Sequence, residues 1–261
     1  MTEAPARRPR IMAVTSGKGG VGKTIVSANL AAGLVRLGER VLVLDADLGL
    51  ANLDVVLNLF PKITLHDVFT GARTLDEAIL PAPGGFSVLL AGSGMVEYSR
   101  MTPELRERLQ EVVAEVASRF DRVLLDTGAG ISDVVLYTVS LADEVLVVAT
   151  PEPTSITDAY ATIKVLATTQ ARRGLRLLVN QTRRAGEARG VHAQLQQVLD
   201  RFVTPSLDAP LQLDLLGEVP ADAAVREAVQ RRELLLEALP GAQASQALLA
   251  AAQRLQDSRE R

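Results

Sequence analysis

Short apolar runs recur along the chain, separated by longer stretches in which apolar residues return every three or four positions. The runs are IMAVTS at 11–16, RVLVLD at 40–45, FSVLLA at 86–91, RVLLD at 122–126, EVLVVAT at 144–150, LRLLVN at 175–180 and LDLLGEV at 213–219. They are rich in Val, Leu and Ile and lack the polar alternation of a half-solvated strand, so they predict strands covered on both faces. Helical spacing follows the first run and returns at 103–119, 154–170, 188–202 and 242–256. Strands alternating with helices predict an α/β fold: a single domain with a mostly parallel twisted sheet and helices on both faces. The expected layout is a basic, disordered tail over 1–9, the sheet domain over 10–240 and a C-terminal helix within 241–261.

The composition supports a large core and narrows the chemistry. Of 261 residues, 48% are hydrophobic but only 3% aromatic, so Leu, Val, Ile and Ala must do the packing. Cysteine is absent, which excludes disulfides and thiolate metal sites and fits a reducing compartment. A net charge of −3 gives no global attraction for nucleic acid. The head MTEAPARRPR has no apolar run and cannot serve as a secretory signal. No stretch approaches the roughly 18 apolar residues of a membrane span. The expected location is cytoplasmic.

The turn after the first strand carries the most specific chemistry. SGKGGVGKT at 16–24 satisfies the phosphate-loop pattern through Gly17, Gly22, Lys23 and Thr24. Glycines let successive N–H groups point inward at anionic oxygens, and the helix that follows adds its partial positive charge. The expected cradle is Gly17, Lys18, Gly19, Gly20, Val21, Gly22, Lys23 and Thr24. Lys23 can reach the β- and γ-phosphates, and the Thr24 hydroxyl can bind Mg2+. GKGGVG also fits the dinucleotide fingerprint, with Asp45 as a ribose acid. The Lys23–Thr24 pair decides for the phosphate loop, because a pyrophosphate turn needs neither an amine nor a metal-binding hydroxyl.

Ligands of open parallel sheets sit beyond the carboxyl ends of the strands. Thr15, Ser16, Asp45, Asp126, Thr150 and Asn180 all fall at predicted strand ends. Asp45, Asp47 and Asp126 could orient the water ligands of Mg2+ and position an attacking water; acids at such places also cap helices and stabilise turns. Asn180 could read adenine through one donor and one acceptor, or be a buried turn amide. Asp222 reads equally as a helix N-cap, and Thr154 or Ser155 as the cap of the helix over 154–170.

These motifs together resemble the MinD/ParA family of dimerising ATPases, whose deviant phosphate loop carries a second lysine, here Lys18. The resemblance covers about residues 10–240 and implies a P-loop NTPase fold of the SIMIBI type, with ATP and Mg2+ bound and ATP slowly hydrolysed. It implies that Lys18 reaches across a homodimer to the partner's ATP. DADLGLAN at 45–52 resembles switch I, which makes Asp47 the residue that orients the hydrolytic water and Asp45 a support for the outer shell of the metal. DTGAGI at 126–131 resembles Walker B and switch II, which places Asp126 in the magnesium site and a Gly130 N–H near the γ-phosphate. An acid matching Asp158 can hold the extra lysine in such proteins when ATP is absent. Asn180 matches the adenine-contacting Asn, and Pro220 and Asp222 lie in the segment that closes over the base.

Within that family, EPTSITDAY, DADLGLANLDV and TLHDVF look most like the FlhG/FleN regulators of flagellar number and placement. That likeness implies a flagellar transcription activator, an FlhF-type GTPase or a flagellar ring protein as partner. The N-terminal D-Q-A-x-x-L-R segment that stimulates the GTPase has no match in MTEAPARRPR. The C-terminal stripe of Leu248, Ala252 and Leu255 lacks an aromatic anchor and reads as a helix packed on the body, with peripheral association at the inner face of the membrane as the alternative. Arg172, Arg173, Arg176, Arg183, Arg184 and Arg189 surround one strand and would have to serve a ParA-like, DNA-binding reading, or form a solvated rim. DNA is the less favoured partner.

Overall fold

The computed structural model describes residues 9–49, 51–92, 98 and 100–258. The expected tail, except for Pro9, and the last three residues, including Arg259 and Arg261, lie outside the described residues.

Eight strands form one sheet: β1 (Arg10–Ser16), β2 (Val41–Ala46), β3 (Ile79–Pro81), β4 (Ser87–Leu89), β5 (Arg122–Ala129), β6 (Glu144–Ala149), β7 (Gly174–Thr182) and β8 (Gln212–Pro220). Their order is β3-β4-β2-β5-β1-β6-β7-β8. All pairings are parallel except β3 with β4. The helices are α1 (Lys23–Arg36), α2 (Leu53–Leu57), α3 (Leu65–Phe69), α4 (Leu75–Ala78), α5 (Pro103–Arg119), α6 (Asp133–Ser140), α7 (Pro153–Thr169), α8 (Glu187–Phe202), α9 (Ala223–Arg231), α10 (Leu235–Ala238) and α11 (Gln243–Asp257).

Strand residues alternate between two cores, as the period of two requires. Ala13, Leu44, Leu125, Val147 and Leu177 pack with apolar residues of α5, α6, α7 and α8. Val14, Val43, Leu124, Val148 and Leu178 pack with α1, α10 and α11. Both faces of the sheet are dry, so the strands are unbroken apolar runs.

Local chemistry starts the helices. Pro103 opens α5 while the Thr102 hydroxyl accepts from Leu105 N at 3.2 Å. Ser132 caps α6 by accepting from Val135 N at 3.4 Å. α7 starts at Pro153 with Glu152 at the cap position, not at Thr154 or Ser155. The Ser155 hydroxyl instead accepts from Thr150 N at 3.0 Å, closing the turn after β6.

Two strands differ from expectation. β3 pairs antiparallel on the edge and is too short to leave a sequence pattern. β5 runs three residues past Asp126 because Thr127 still pairs with Ala46, and Ala129 with Ser16, while the Thr127 hydroxyl donates to Val14 O at 3.1 Å. Asp126 is therefore inside a strand, not at its end.

The stripe of α11 faces inward. Leu248, Ala251, Ala252 and Leu255 are buried against α1 and β8. A Cβ on Gly33 of α1 would lie 2.8 Å from Ala252 Cβ, so the two helices touch through their smallest residues. Arg254 Nη1 donates to Leu216 O at 2.7 Å and Gln256 Nε2 to Leu37 O at 3.0 Å. Among the described residues no helix is long and apolar enough to cross a membrane.

Candidate nucleotide site

The loop from Gly17 to Gly22 leaves the central strand β1 and enters α1. Gly20 and Gly22 take φ of 79° and 92°, the left-handed region that favours glycine. Gly22 is the N-cap of α1, with no side chain accepting from the first turn. Uncapped N–H groups at the end of an aligned helix form an anion site. Cβ atoms on Gly19 and Gly20 would meet nothing within 4 Å, so the cradle is open on the outside. It is tightly held on the inside: a Cβ on Gly17 would overlap the Asp158 carbonyl of α7.

A cleft of about 540 Å³ opens over the loop, walled by Lys23, Thr24, Asp47, Gly128 and Ser132 among others. Its volume suits a small-molecule ligand. Lys23 is buried, and desolvation holds its ammonium below the usual lysine range against the opposing pull of Asp126 and Asp47. An anion entering the cleft would restore the missing solvation.

Asp45 and Asp126 are directly paired across β2 and β5, and both are buried. By strand alternation both face α1. Burial pushes the Asp126 carboxyl up to about 6, opposed by hydrogen bonds from Thr24 and Ser27 and by Lys23. Asp45 is pushed well above the usual carboxylate range by desolvation and then by Asp126. Its oxygens accept from Asp47 N at 3.2 Å and Leu53 N at 3.3 Å, so it organises the loop that carries Asp47. Asp47 lies against switch II: a Cβ on Gly128 would come 3.4 Å from its Oδ1.

Among the described residues no three His, Cys, Asp or Glu side chains converge as a metal cage. Mg2+ seldom uses one; it keeps waters and takes a hydroxyl or carboxylate beside substrate phosphates. Thr24 with Asp126, and Asp45 and Asp47 behind them, is a hard-oxygen set that fits that habit.

Lys18 is placed differently from expectation. Its Nζ donates to Glu152 Oε2 and to Thr154 Oγ1, both at 3.0 Å. Asp158 meets the loop through its backbone at Gly17, while the cap of α7 reaches the lysine. Gly130, with φ of 89°, donates its N–H to Ser16 O at 2.8 Å, so that donor is already engaged.

Near the end of β7, Asn180 Nδ2 donates to Val21 O at 2.8 Å, and Gln181 N donates to Asn180 Oδ1 at 2.9 Å. Gly22 makes room for this amide, because a Cβ there would lie 2.5 Å from Asn180 Nδ2. One N–H and one lone pair remain for a ligand. Pro220 ends β8 beside Thr182. Asp222 acts as a cap: Oδ1 accepts from Ala224 N at 2.9 Å in α9, and Oδ2 from Ala244 N at 3.1 Å in α11.

The arginine cluster splits into structural and exposed members. Arg172 donates to the carbonyls of Val139 and Ala142 at the end of α6. Arg173 pairs with Asp208 and Arg176 with Glu144. Arg183, Arg184 and Arg189 are exposed.

Sequence reasoning did not find Ser27, whose hydroxyl donates to Asp126 Oδ1 at 2.8 Å, nor Glu152. The spacing of Ser27 one turn after Thr24 was the available signal; Glu152 gave none, because its partner lies 134 positions away.

Known proteins share this fold and much of this sequence. A ParA family model, described as NUBPL iron-transfer P-loop NTPase, matches residues 8–256. Without cysteine the chain has no thiolates for an iron–sulfur cluster. The antiactivator FleN of Pseudomonas aeruginosa is 45% identical over 94% of this chain and 86% of its own length. The flagellum site-determining protein YlxH of Helicobacter pylori is 33% identical over 92% of this chain and 79% of its own. The structure of septum site-determining MinD from Pyrococcus horikoshii with Mg-ADP superposes with a TM-score of 0.75 at 28% identity, covering 95% of this chain and 96% of that one.

Proposed function

Because the chain belongs to the MinD/ParA family of P-loop NTPases, we propose that it is an ATP-dependent dimerising switch that regulates flagellar number or placement. The flagellar assignment is carried by the 45% identity to the antiactivator FleN along nearly the whole chain.

The residues divide the work. Lys23 and the loop N–H groups grip the β- and γ-phosphates, and Asn180 contacts adenine with the donor and acceptor it has left. Pro220 lies beside the base; Asp222 holds that segment in place through its two helix caps. Thr24 and Asp126 would hold Mg2+, with Asp45 and Asp47 behind them; when bound, the ion would supply charge neutralisation and polarisation of the reacting phosphoryl group. Asp47 orients the attacking water. Lys18 leaves Glu152 and reaches the partner's nucleotide, a role like that of an arginine finger. The departure is cheap, because exposed ion pairs contribute about 0–1 kcal/mol and this lysine and glutamate are 40% and 63% exposed. Gly130 must release Ser16 O before its N–H can meet a phosphate, which ties switch II to the nucleotide. Isolated protein turns over slowly, and the dimer's differential affinity for its partner is the output.

The test is affinity capture from native extract with the Asp47→Ala protein and Mg-ATP, using Lys18→Ala as control. Recovery of a flagellar transcription activator, an FlhF-type GTPase or a flagellar ring protein by Asp47→Ala alone supports the assignment. Recovery of chromosomal DNA with a centromere-binding protein would move the chain to the partitioning branch and leave the ATP site standing.

A further inference from the structure

Asp126 is buried beneath α1, where water cannot orient it. Two hydroxyls of that helix do so instead. Ser27 Oγ donates to Oδ1 at 2.8 Å, and the Thr24 hydroxyl, three positions earlier, favours the charged form of the same carboxylate. Thr24 and Ser27 are three positions apart, so both lie on the helix face that looks down on β5. Ser27 is fully buried, whereas Thr24 is partly open to the cleft. The two hydroxyls therefore have different prospects once a nucleotide arrives. Thr24 must turn an oxygen lone pair toward the metal. Ser27 has no access to the cleft and keeps its only visible task.

We propose that Ser27 is a positioning residue that fixes the Asp126 carboxylate for the metal while Thr24 changes partners. The inference rests on the ATP-site reading above. It adds that the second hydroxyl of the helix, outside the phosphate-loop pattern, sets how tightly the metal is held. Without Ser27, Oδ1 loses a charge-assisted hydrogen bond in a dry place, where the carboxylate is free to rotate out of line. The loop backbone and Lys23 do not depend on this bond, so nucleotide binding without metal is unaffected.

The experiment is a titration of a fluorescent ADP analogue on the full chain, in EDTA and at increasing Mg2+. Ser27→Ala is expected to raise the Mg2+ concentration at half-effect by about tenfold. Its affinity in EDTA should equal that of the parent protein, and Ser27→Thr, which keeps the hydroxyl, should keep the parent midpoint. Should the Ala protein not fold, Ser27→Cys fills the same space with a weaker donor and should show the same shift. An unchanged Mg2+ midpoint overturns the proposal, as does an equal loss of affinity with and without metal, since that would mark a packing role. A parent protein whose nucleotide binding ignores Mg2+ overturns the ATP-site reading itself, a result distinct from either.

Discussion

Asp126 holds its charge where solvent does not reach, and the consequence is measurable without any ligand. Its native carboxyl is raised from 3.8 to about 6, so the folded state binds this proton more tightly than the unfolded chain does. The stability gained from that proton is complete below about pH 4 and is lost as pH rises through 6. Relative to Asp126→Asn, the metal-free protein should lose about 2–3 kcal/mol between pH 4 and pH 7. Urea unfolding of both proteins in EDTA measures the difference; parallel pH profiles would refute the buried charge. Lys18 offers a complementary test at the same scale. Lys18→Ala should keep ATP affinity and lose turnover on the order of 10³-fold, to background; unchanged steady-state hydrolysis would remove the lysine from the mechanism. The phosphate loop could be read directly because its contacts are made by neighbours in sequence. Glu152, Ser27 and the buried pair of Arg122 with Glu39, whose Nε–Oε2 distance is 2.9 Å, could not, because each partner arrives from a distant strand or helix. Nothing local in RVLLD announces that its arginine will be fully buried.

The elements with a full amphipathic period were legible, and the shortest were not. The pattern over 103–119 is α5 itself, that over 188–202 differs from α8 by one residue at its start, and that over 242–256 is shifted from α11 by one residue at each end. β3, with three residues, is held by its antiparallel neighbour rather than by its own pattern. The C-terminal stripe was ambiguous in sequence because packing against a protein and packing against a membrane select for the same apolar face; in the structure Gly33 and Ala252 let α1 and α11 touch. Asp222 ties α11 to α9 through one carboxylate, and backbone N–H bonds from Ala224 and Ala244 hold that carboxyl below the usual carboxylate range. Asp222→Ala removes both caps and should cost about 1–2 kcal/mol at neutral pH. The native carboxylate contributes that stability above about pH 4 and loses it as pH falls through its own lowered value. Melting curves of the two proteins should therefore converge in acid; a constant gap would assign the loss to packing instead.

The molecule as a whole gathers its polar chemistry along one sheet edge, and a lysine there is held by its own chain. A switch of this design is expected to change its assembly rather than its fold. Asp47→Ala with saturating Mg-ATP should accumulate as a dimer in light scattering, and removal of nucleotide should return it to a monomer; a monomer throughout would contradict the switch. A mostly parallel sheet covered on both faces was implicit in the alternation of strands and helices, but the order of its strands, the edge pairing and the partner of Lys18 depended on how the chain closes in space. One contact at this edge has a mechanical meaning. At Gly17 the phosphate loop approaches α7 so closely that an added Cβ would overlap the Asp158 carbonyl and lie 2.7 Å from the Asp158 Cβ, atoms that no rotamer can move. Rotamers ordinarily act as the slack in such a joint, absorbing a shift before it reaches the next layer. Here there is no slack. A displacement of α7 at this point would therefore bear directly on the first turn of the cradle.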